Sequence, residues 1–403
     1  MVKIDEFAVE RWMDDYENDA RFNLAETCCA SISLTDLLEL SGNSAQADKV
    51  LDFSKKQVYG AIRGSVALRT NIARLYVDEL STPVPGDQVL VTNGAIQANF
   101  LALYTNVGPG DHVICHYPTY QQLYSVPKSL GAEVSLWKSR ETEGWRLDLD
   151  ELKSLIRPNT KYIVINNPQN PTGAVLSHEN LKGIVDIARE HGIILHSDEV
   201  YRPLFHSLAA NTKNPPSVLS FGYEKTVVTG SMSKAFSLAG IRLGWIVSLS
   251  SAIIEACASA RDYTVISVSQ VDDQIATFAL DSPTVDNLLT RNITLAQRNL
   301  AALDEFVTDF KYACQWTRPQ AGTTAFIRFS DKSGSPVDDV EFCKQLQQNT
   351  GVMFVPGSQC FGGGVDFKGF VRVGYVNEHQ TIIDGLEALR VFMGDGYSKL
   401  PLA

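Results

Sequence analysis

Lys234 is the residue of this sequence best placed for covalent chemistry. It stands in Ser231-Met232-Ser233-Lys234, directly after an apolar run, and Arg242 follows eight residues later. A lone lysine is usually a solvated surface charge. Here an amine, two hydroxyls and a guanidinium are expected near one strand end, a set that suits a phosphorylated aldehyde. The amine can attack the carbonyl while the other groups hold the phosphate.

Two uncharged segments could bind an anion or merely turn the chain. The residues TNGAI at 92–96 lead from a strand into a helix, whose free N–H groups could hold a phosphate. An ordinary helix start explains them equally well. The residues NNPQNPTG at 166–173 follow an apolar run, and their prolines indicate either a rigid functional loop or a plain turn.

Two charged segments carry the remaining candidate groups. HSDEVY at 196–201 places Asp198 at a strand end, where its carboxylate could act in chemistry or cap the next helix. His196 shares a strand face with Asp198, but no third ligand has suitable spacing, so we expect no metal site. FVRVG at 370–374 places Arg372 in a strand, where it could form a structural ion pair or bind a carboxylate bidentately.

The elements that must position these groups alternate along the chain. From about residue 89 to 248, short β-rich runs such as HVICHY and KTVVTG alternate with amphipathic segments, including a predicted helix at 178–191. This alternation predicts a mainly parallel sheet covered by helices. Ligands of such sheets bind beyond the carboxyl ends of the strands. After about residue 290 the pattern changes to that of a smaller α+β domain.

Taken in order, these segments resemble a known enzyme family. NPQNPTG, DEVY, SMSK with an arginine eight residues on, and the late arginine strand are similar to the class I and II aminotransferases, fold type I of the pyridoxal 5′-phosphate enzymes. The resemblance extends over nearly the whole chain. It implies an α/β, aspartate aminotransferase-like fold, with a large domain over 47–290 that carries a seven-stranded, mainly parallel sheet. Residues 1–46 and 291–403 would form the small domain.

The resemblance also implies a role for each matching residue. Lys234 would hold the cofactor as a Schiff base and move the proton of the reaction, while Asp198 would keep the pyridine nitrogen protonated. Tyr201 and Asn170 would hydrogen-bond the phenolic oxygen of the cofactor. Tyr120 matches the aromatic residue that stacks on the cofactor ring, although a core tyrosine is the plainer alternative.

The phosphate and substrate sites follow from the same resemblance. The groups expected to hold the phosphate are Gly94, Ala95, Ser231, Ser233 and Arg242. Tyr59 resembles a tyrosine that reaches the phosphate from the neighbouring subunit, which implies a homodimer with active sites at its interface. Arg372, beside Asn170, would bind the substrate α-carboxylate, so the expected substrates are an α-amino acid and a 2-oxo acid.

One segment departs from the family pattern and leaves the reaction open. NLAETC at 23–28 is similar to the aminocyclopropane-carboxylate synthases, so Glu26 is expected either to face the substrate or to lie on the surface. An aminotransferase is the first hypothesis. The alternative is β- or γ-elimination, replacement or cyclisation, as in aminocyclopropane-carboxylate or capreomycidine synthases. A non-catalytic cofactor-binding protein would predict damage to Lys234 or Asp198, and both are intact. No second arginine for a dicarboxylate substrate can be placed.

Composition narrows the classes of partner. The 403 residues carry a formal net charge of -11 and have no Lys/Arg-rich run, which argues against nucleic acid. No stretch reaches the roughly 18 apolar residues of a membrane span. The N-terminus lacks the features of a targeting peptide, so we expect a cytoplasmic protein. Seven scattered cysteines, including the adjacent Cys28 and Cys29, favour reduced thiols over a disulfide framework.

Overall fold

The strands and helices follow the predicted alternation. The computed structural model describes residues 3–42, 50–76 and 84–403. Its strands are β1 (Phe22–Asn23), β2 (Val89–Thr92), β3 (His112–Tyr117), β4 (Glu133–Lys138), β5 (Thr160–Asn166), β6 (Ile194–Asp198), β7 (Thr226–Ser231), β8 (Gly244–Ser248), β9 (Cys314–Trp316), β10 (Thr324–Phe329), β11 (Val352–Met353), β12 (Val355–Pro356) and β13 (Phe370–Gly374). The α-helices are Ala8–Tyr16, Leu34–Leu40, Val66–Arg74, Gly94–Asn106, Gln122–Ser129, Leu149–Leu155, His178–Glu190, Ser251–Arg261, Gln270–Ala279, Thr284–Asp309, Asp339–Thr350, Gly357–Phe361 and His379–Asp395.

The large sheet has seven strands in the order β2-β8-β7-β6-β5-β3-β4. Strand β8 runs antiparallel to both of its neighbours, and the other pairs are parallel. Every residue of β3 and β7 is buried, as expected for central strands with helices packed on both faces of the sheet. The predicted fold class, a mainly parallel sheet of the aspartate aminotransferase type, is confirmed.

Strand register brings the predicted chemical groups to one edge of this sheet. Asn166 at the end of β5 pairs with Asp198 at the end of β6, and Asp198 pairs with Thr229 of β7. Strand β7 then ends at Ser231, three residues before Lys234. The carboxyl ends of three neighbouring parallel strands therefore present an amide, a carboxylate and the lysine loop side by side.

Helix His178–Glu190 shows how the local sequence fixes an element. The Ser177 side chain accepts a hydrogen bond from the Asn180 N–H and so caps the first turn. Apolar residues at helical spacing, such as Leu181 and Ile184, are buried against the sheet. Gly192, with φ +66°, ends the turn that follows in the left-handed region that glycine adopts easily. The helix predicted at 178–191 is therefore observed within one residue.

A second, antiparallel sheet in the order β12-β13-β10-β9 supports the opposite side of the site. Arg372 lies in its inner strand β13, opposite Phe326 of β10 and Val355 of β12. The N-terminal segment packs here as well, because β1 pairs with β11 and the Trp12 indole N–H donates to the Phe354 carbonyl at 2.9 Å. This packing brings the helix Ala8–Tyr16 over the edge of the large sheet.

The predicted division into domains stays a prediction. Its boundary at 46/47 lies outside the described residues, and its boundary at 290/291 lies inside the helix Thr284–Asp309. That single helix of 26 residues runs through the predicted boundary. Among the helices that the structure describes, none has the length and apolar character required to cross a bilayer.

Candidate active site

A cavity of about 320 Å³ lies at the carboxyl edge of the large sheet, between the strand ends, β13 and the N-terminal helix. It collects most of the residues that the sequence predicted. The predicted residues that line it are Glu26, Ala95, Tyr120, Asn170, Asp198, Tyr201, Ser231, Ser233, Lys234, Arg242 and Arg372. Gly94 adjoins this group through Arg242, whereas Tyr59 lies elsewhere on the surface.

Lys234 is held at the centre of the cavity by the N-terminal segment. Its Nζ donates to Thr27 Oγ1 at 2.6 Å and lies 3.6 Å from Cys28 Sγ. The Cys29 N–H in turn donates to the Lys234 carbonyl at 3.2 Å. Residues 27–29 therefore form a strap across the lysine, and they fix its amine within the cavity.

Opposing effects act on the Lys234 amine. Burial lowers its pKa, but Cys28, Tyr201 and Glu26 outweigh burial and raise the pKa above the ordinary lysine value. Burial also raises the pKa of the Cys28 thiol to about 11 and raises that of Tyr201. Both are consequently neutral at pH 7, and Glu26 is the anion that favours the charged lysine there.

Asp198 is buried, and each of its carboxylate oxygens accepts one hydrogen bond. Asn99 Nδ2 donates to its Oδ2 at 3.0 Å, and the Val200 N–H donates to its Oδ1 at 3.3 Å. Burial raises the pKa of Asp198 to about 6, against the hydrogen bond from Asn99, which lowers it. A cation placed beside Asp198 would therefore lower its pKa and keep the carboxylate charged.

The corner around Arg242 is built to bind an anion. Gly94 has φ +73°, and a Cβ there would lie 2.8 Å from Arg242 Nη2, so the guanidinium lies directly against the start of the helix Gly94–Asn106. Arg242 Nη1 donates to Ser233 Oγ at 3.3 Å, and the Ser233 N–H donates to Ser231 Oγ at 3.0 Å. A guanidinium, two hydroxyls and free N–H groups of a helix start are the donors that phosphate requires.

Arg372 lies on the opposite side of the cavity with unused donor capacity. Its Nη2 donates to the Ala25 carbonyl at 2.9 Å and its Nη1 to Asn170 Oδ1 at 3.4 Å. Its Nε has no hydrogen-bond partner among the described residues, although the side chain is only 3% exposed. A buried, unsatisfied guanidinium N–H is costly unless a ligand accepts from it, and a carboxylate is the natural acceptor.

Two tyrosines complete the walls. Tyr120 lines the cavity, its hydroxyl donates to Glu10 Oε1 at 2.8 Å, and burial raises its pKa. The Tyr201 ring is buried beside Gly322, since a Cβ at that glycine would lie 3.4 Å from Tyr201 Cγ. Both phenols stay protonated at neutral pH. The Tyr120 proton is donated to Glu10, whereas the Tyr201 hydroxyl can donate a hydrogen bond to a ligand.

Glu26 faces the cavity, one of the two possibilities that the sequence left open. Its Oε1 accepts from the N–H groups of Thr27 at 2.6 Å and Cys28 at 3.0 Å. Burial opposes its ionisation, but the Lys234 charge and these hydrogen bonds outweigh burial and lower the pKa of Glu26. A charged carboxylate therefore lies beside Lys234.

Tyr59 does not reach this cavity within its own chain. The side chain is 81% exposed and lies near Ser269 and Gln270 on another part of the surface. A contribution from a neighbouring subunit, which the resemblance implies, requires this exposed position, so the role of Tyr59 stays a prediction.

Several polar residues of the cavity were not predicted from the sequence. Thr27 and Cys28 contact Lys234, Asn99 contacts Asp198, and Glu10 contacts Tyr120. Asn99 carried a usable signal, because it lies between apolar residues of its helix, and a polar side chain buried among them needs a partner. The others lie on segments with no strand or motif of their own, so only the tertiary fold identifies them.

Comparisons with known proteins agree with this geometry. The family model for class I and II aminotransferases matches residues 36–389. The chain is 30% identical to an aspartate aminotransferase of Thermotoga maritima, over 82% of each protein. It is also 30% identical to a capreomycidine synthase of Streptomyces vinaceus, over 77% of this chain and 76% of that enzyme.

A solved structure extends the likeness to the complete fold. A PLP-dependent aminotransferase from Streptococcus suis superposes with a TM-score of 0.88. The two chains are 39% identical, and the alignment covers 98% of each. The resemblance first suggested by the strand-end segments therefore holds across sequence and structure.

Proposed function

The chain belongs to the class I and II aminotransferases, and from that premise we infer that it transfers the amino group between an α-amino acid and a 2-oxo acid. One observation carries the proposal. The Lys234 amine shares its cavity with the buried carboxylate of Asp198 and the buried guanidinium of Arg372. An amine that binds a carbonyl, a carboxylate that holds a protonated ring nitrogen and an arginine that binds a carboxylate form the set that amino transfer requires.

Pyridoxal 5′-phosphate is the cofactor of this family, and the donors of the cavity fit it. The phosphate would be held by Arg242, by the Ser231 and Ser233 hydroxyls, and by the N–H groups of Gly94 and Ala95. The close approach of Arg242 to Gly94 supports this assignment, because a side chain at position 94 would displace the guanidinium. The phosphate would thereby anchor one end of the cofactor at the helix start.

The remaining cavity residues would orient the ring. Asp198 would pair with the ring nitrogen, Tyr201 and Asn170 would bind the phenolic oxygen, and Tyr120 would pack on the ring face. When bound, the cofactor supplies an electron sink that stabilises negative charge at the substrate Cα. Asp198 sustains that sink, because a carboxylate anion keeps the neighbouring nitrogen protonated.

Lys234 would hold the cofactor covalently and then, once the substrate amine displaces it, act as the base at the substrate Cα. The strap of Thr27 and Cys28 fixes where its Nζ lies, at 2.6 Å from the Thr27 hydroxyl. Burial lowers the pKa of the amine, but Cys28, Tyr201 and Glu26 outweigh burial, so the free amine carries an extra proton at pH 7. It would have to lose that proton on forming the covalent link to the cofactor, and it would then act as a base at a defined position.

Arg372 would bind the α-carboxylate of the substrate. Its unpaired Nε and its position in the rigid strand β13 support this role. Asn170, which already accepts from the guanidinium, would help to orient it. The carboxylate contact would place the substrate Cα at the Lys234 amine, and that positioning limits turnover to amino acids bound in one orientation.

We propose that the enzyme is a homodimer with Tyr59 completing the site of the partner subunit. Large apolar side chains are exposed in the chain segment that carries Tyr59, namely Phe53, Val58, Ile62 and Val66. An exposed apolar surface of this kind is typical of a subunit interface. Mixing Tyr59→Ala with Lys234→Ala protein should give heterodimers with one native site and partial activity, and no recovery of activity would contradict a shared site.

A cytoplasmic location is also proposed. All seven cysteines are buried and free. Unpaired thiols in this number suit a reducing compartment.

The alternative function is elimination, replacement or cyclisation of the amino-acid side chain. Two observations support this alternative, namely the similarity to a capreomycidine synthase and the charged Glu26 at the cavity wall. The residues that bind the cofactor cannot decide between the two reactions, because both begin with loss of the Cα proton.

A half-reaction distinguishes amino transfer from elimination, replacement or cyclisation. Holoenzyme mixed with single amino acids, without any 2-oxo acid, should lose the visible absorption of its cofactor stoichiometrically with one of them, and a 2-oxo acid should restore it. This result is expected because amino transfer leaves the amino group on the cofactor. Many turnovers of an amino acid with unchanged absorption and no 2-oxo acid would replace amino transfer with the alternative.

A further inference from the structure

The mouth of the cavity is lined by an acidic wall, which we define as Glu10, Asp14, Glu17 and Glu26. The first three come from the N-terminal helix Ala8–Tyr16 and the turn that follows it. Their spacing of four and three residues places them on one face of that helix. Glu26 continues the wall toward Lys234.

Glu26 interacts with Lys234, whereas the three carboxylates from the N-terminal helix and turn have no cationic partner in the part of the chain that the structure describes. Among the residues that the structure describes, no lysine or arginine forms an ion pair with Glu10, Asp14 or Glu17. The neighbouring Asp15, which does not line the cavity, is paired with Arg11 at 2.9 Å. The unpaired acids of the helix are therefore the ones that face the cavity.

The opposite end of the cavity independently indicates an anionic group on the ligand. The buried Arg372 directs its guanidinium into the cavity, and its Nε is unpaired among the described residues. Lys234 and Arg242 also line the cavity. The cavity thus has a buried cation, Arg372, in its wall and exposed carboxylates from the N-terminal helix at its mouth.

We propose that the amino-acid substrate carries a cationic side chain, an ammonium or a guanidinium, that lies against the acidic wall. The inference rests on the proposed function and adds the class of substrate to it. With its α-carboxylate at Arg372, an amino acid directs its side chain away from that guanidinium. A cationic terminus then gains Coulomb attraction from several carboxylates, a neutral one gains none, and an anionic one is repelled.

Two pairs of amino acids test the inference, because they differ in charge and little in shape. L-arginine and L-citrulline have side chains of the same length that end in a guanidinium and a urea, and L-ornithine and L-norleucine form a second such pair. Titration of the holoenzyme, followed by the visible absorption of the cofactor, gives an apparent Kd for each. The cationic member should bind at least about tenfold more tightly, and added salt should reduce that ratio.

Substitutions on the N-terminal helix locate the effect. Asp14→Asn should lower the arginine-to-citrulline preference about threefold, in the range of a single exposed ion pair. The control Asp15→Asn removes the same charge from the same helix outside the cavity and should leave the preference unchanged. The triple variant Glu10→Gln, Asp14→Asn, Glu17→Gln should nearly abolish it.

The outcomes separate this inference from its premise. If citrulline and norleucine change the absorption as readily as arginine and ornithine, the proposed amino transfer is supported, but the inference of a cationic side chain is wrong. Equal effects of Asp14→Asn and Asp15→Asn would also overturn it. If no amino acid of any charge alters the absorption, both the proposed function and this inference fall.

Discussion

The two sides of the cavity are built in different ways. On the inner side, strand ends and the loops after them hold Asp198 and Lys234 with defined hydrogen bonds, and the exposed Arg242 donates to Ser233. On the outer side, the N-terminal helix presents exposed carboxylates such as Asp14 that contact no cation. On the inner side a buried group such as Asp198 must keep its hydrogen-bond partners, and this requirement restrains that side. The outer side can change sequence at little cost to folding, so we infer that chemistry resides on the first and substrate choice on the second.

The largest effect expected on the inner side is that of Lys234→Ala. Without the amine there is no covalent link to the cofactor and no base at the substrate Cα, so the rate should fall by at least about 10⁴-fold. Borohydride reduction followed by peptide mapping should attach the cofactor to a peptide containing Lys234. The control Lys225→Ala, an exposed lysine just before β7, should retain both labelling and activity. Label on a different lysine would refute the assignment.

Asp198→Asn should cost about 10³-fold in rate while part of the cofactor binding remains, because the amide cannot keep the ring nitrogen protonated. Rapid mixing of the enzyme with an amino acid would measure this loss of rate in the half-reaction. The adjacent Glu199 is a matched control, being equally buried but bound to Ser217 and outside the cavity. Glu199→Gln should therefore stay within about tenfold of the parent. Near-normal turnover of Asp198→Asn would show that Asp198 does not have this role.

Arg372→Lys should raise the KM for amino acids about a hundredfold, as expected when a buried bidentate contact with a carboxylate is lost. Arg328→Lys is the control, since Arg328 lies on the neighbouring strand β10 and does not line the cavity. Steady-state kinetics with an amino acid and with the corresponding amine, which lacks the carboxylate, would show whether the loss depends on the carboxylate. If the variant weakens both substrates equally, Arg372 does not bind the carboxylate.

The contrast between the two sides also explains what the sequence could predict. Strand ends followed by characteristic polar residues identified Asp198, Lys234 and Arg242, because a parallel sheet gathers its carboxyl ends at one edge. Thr27 contacts Lys234 across a separation of 207 residues, and no periodicity encodes that contact. In the sequence, nothing distinguishes the acidic face of the N-terminal helix from an ordinary solvated face. Its position at the cavity is fixed by contacts with residues far along the chain, such as those of Trp12 with Phe354 and of Glu10 with Tyr120.

The smallest effect, and the sharpest test of rigidity on the inner side, is expected from Asn99→Ala. Asn99 donates to Asp198 Oδ2 at 3.0 Å and accepts from the Thr229 hydroxyl at 2.6 Å, so it ties the carboxylate to β7. Its hydrogen bond lowers the pKa of Asp198, which burial raises to about 6. Removing the donor should raise that pKa by about one unit, the equivalent of one hydrogen bond to a charged group.

The sign of the resulting pH effect follows directly. A higher pKa means that less Asp198 is ionised at a given acidic pH, so the acid limb of the kcat/KM profile should move to higher pH, while the rate above pH 8 falls only about threefold or less. The control is Asn106→Ala, which removes a partly buried asparagine from the same helix without contact to Asp198. That variant should leave the acid limb in place. A uniform loss of rate at every pH in Asn99→Ala would mean that Asn99 acts through packing alone, and an unchanged profile would mean that the strand ends hold Asp198 without it.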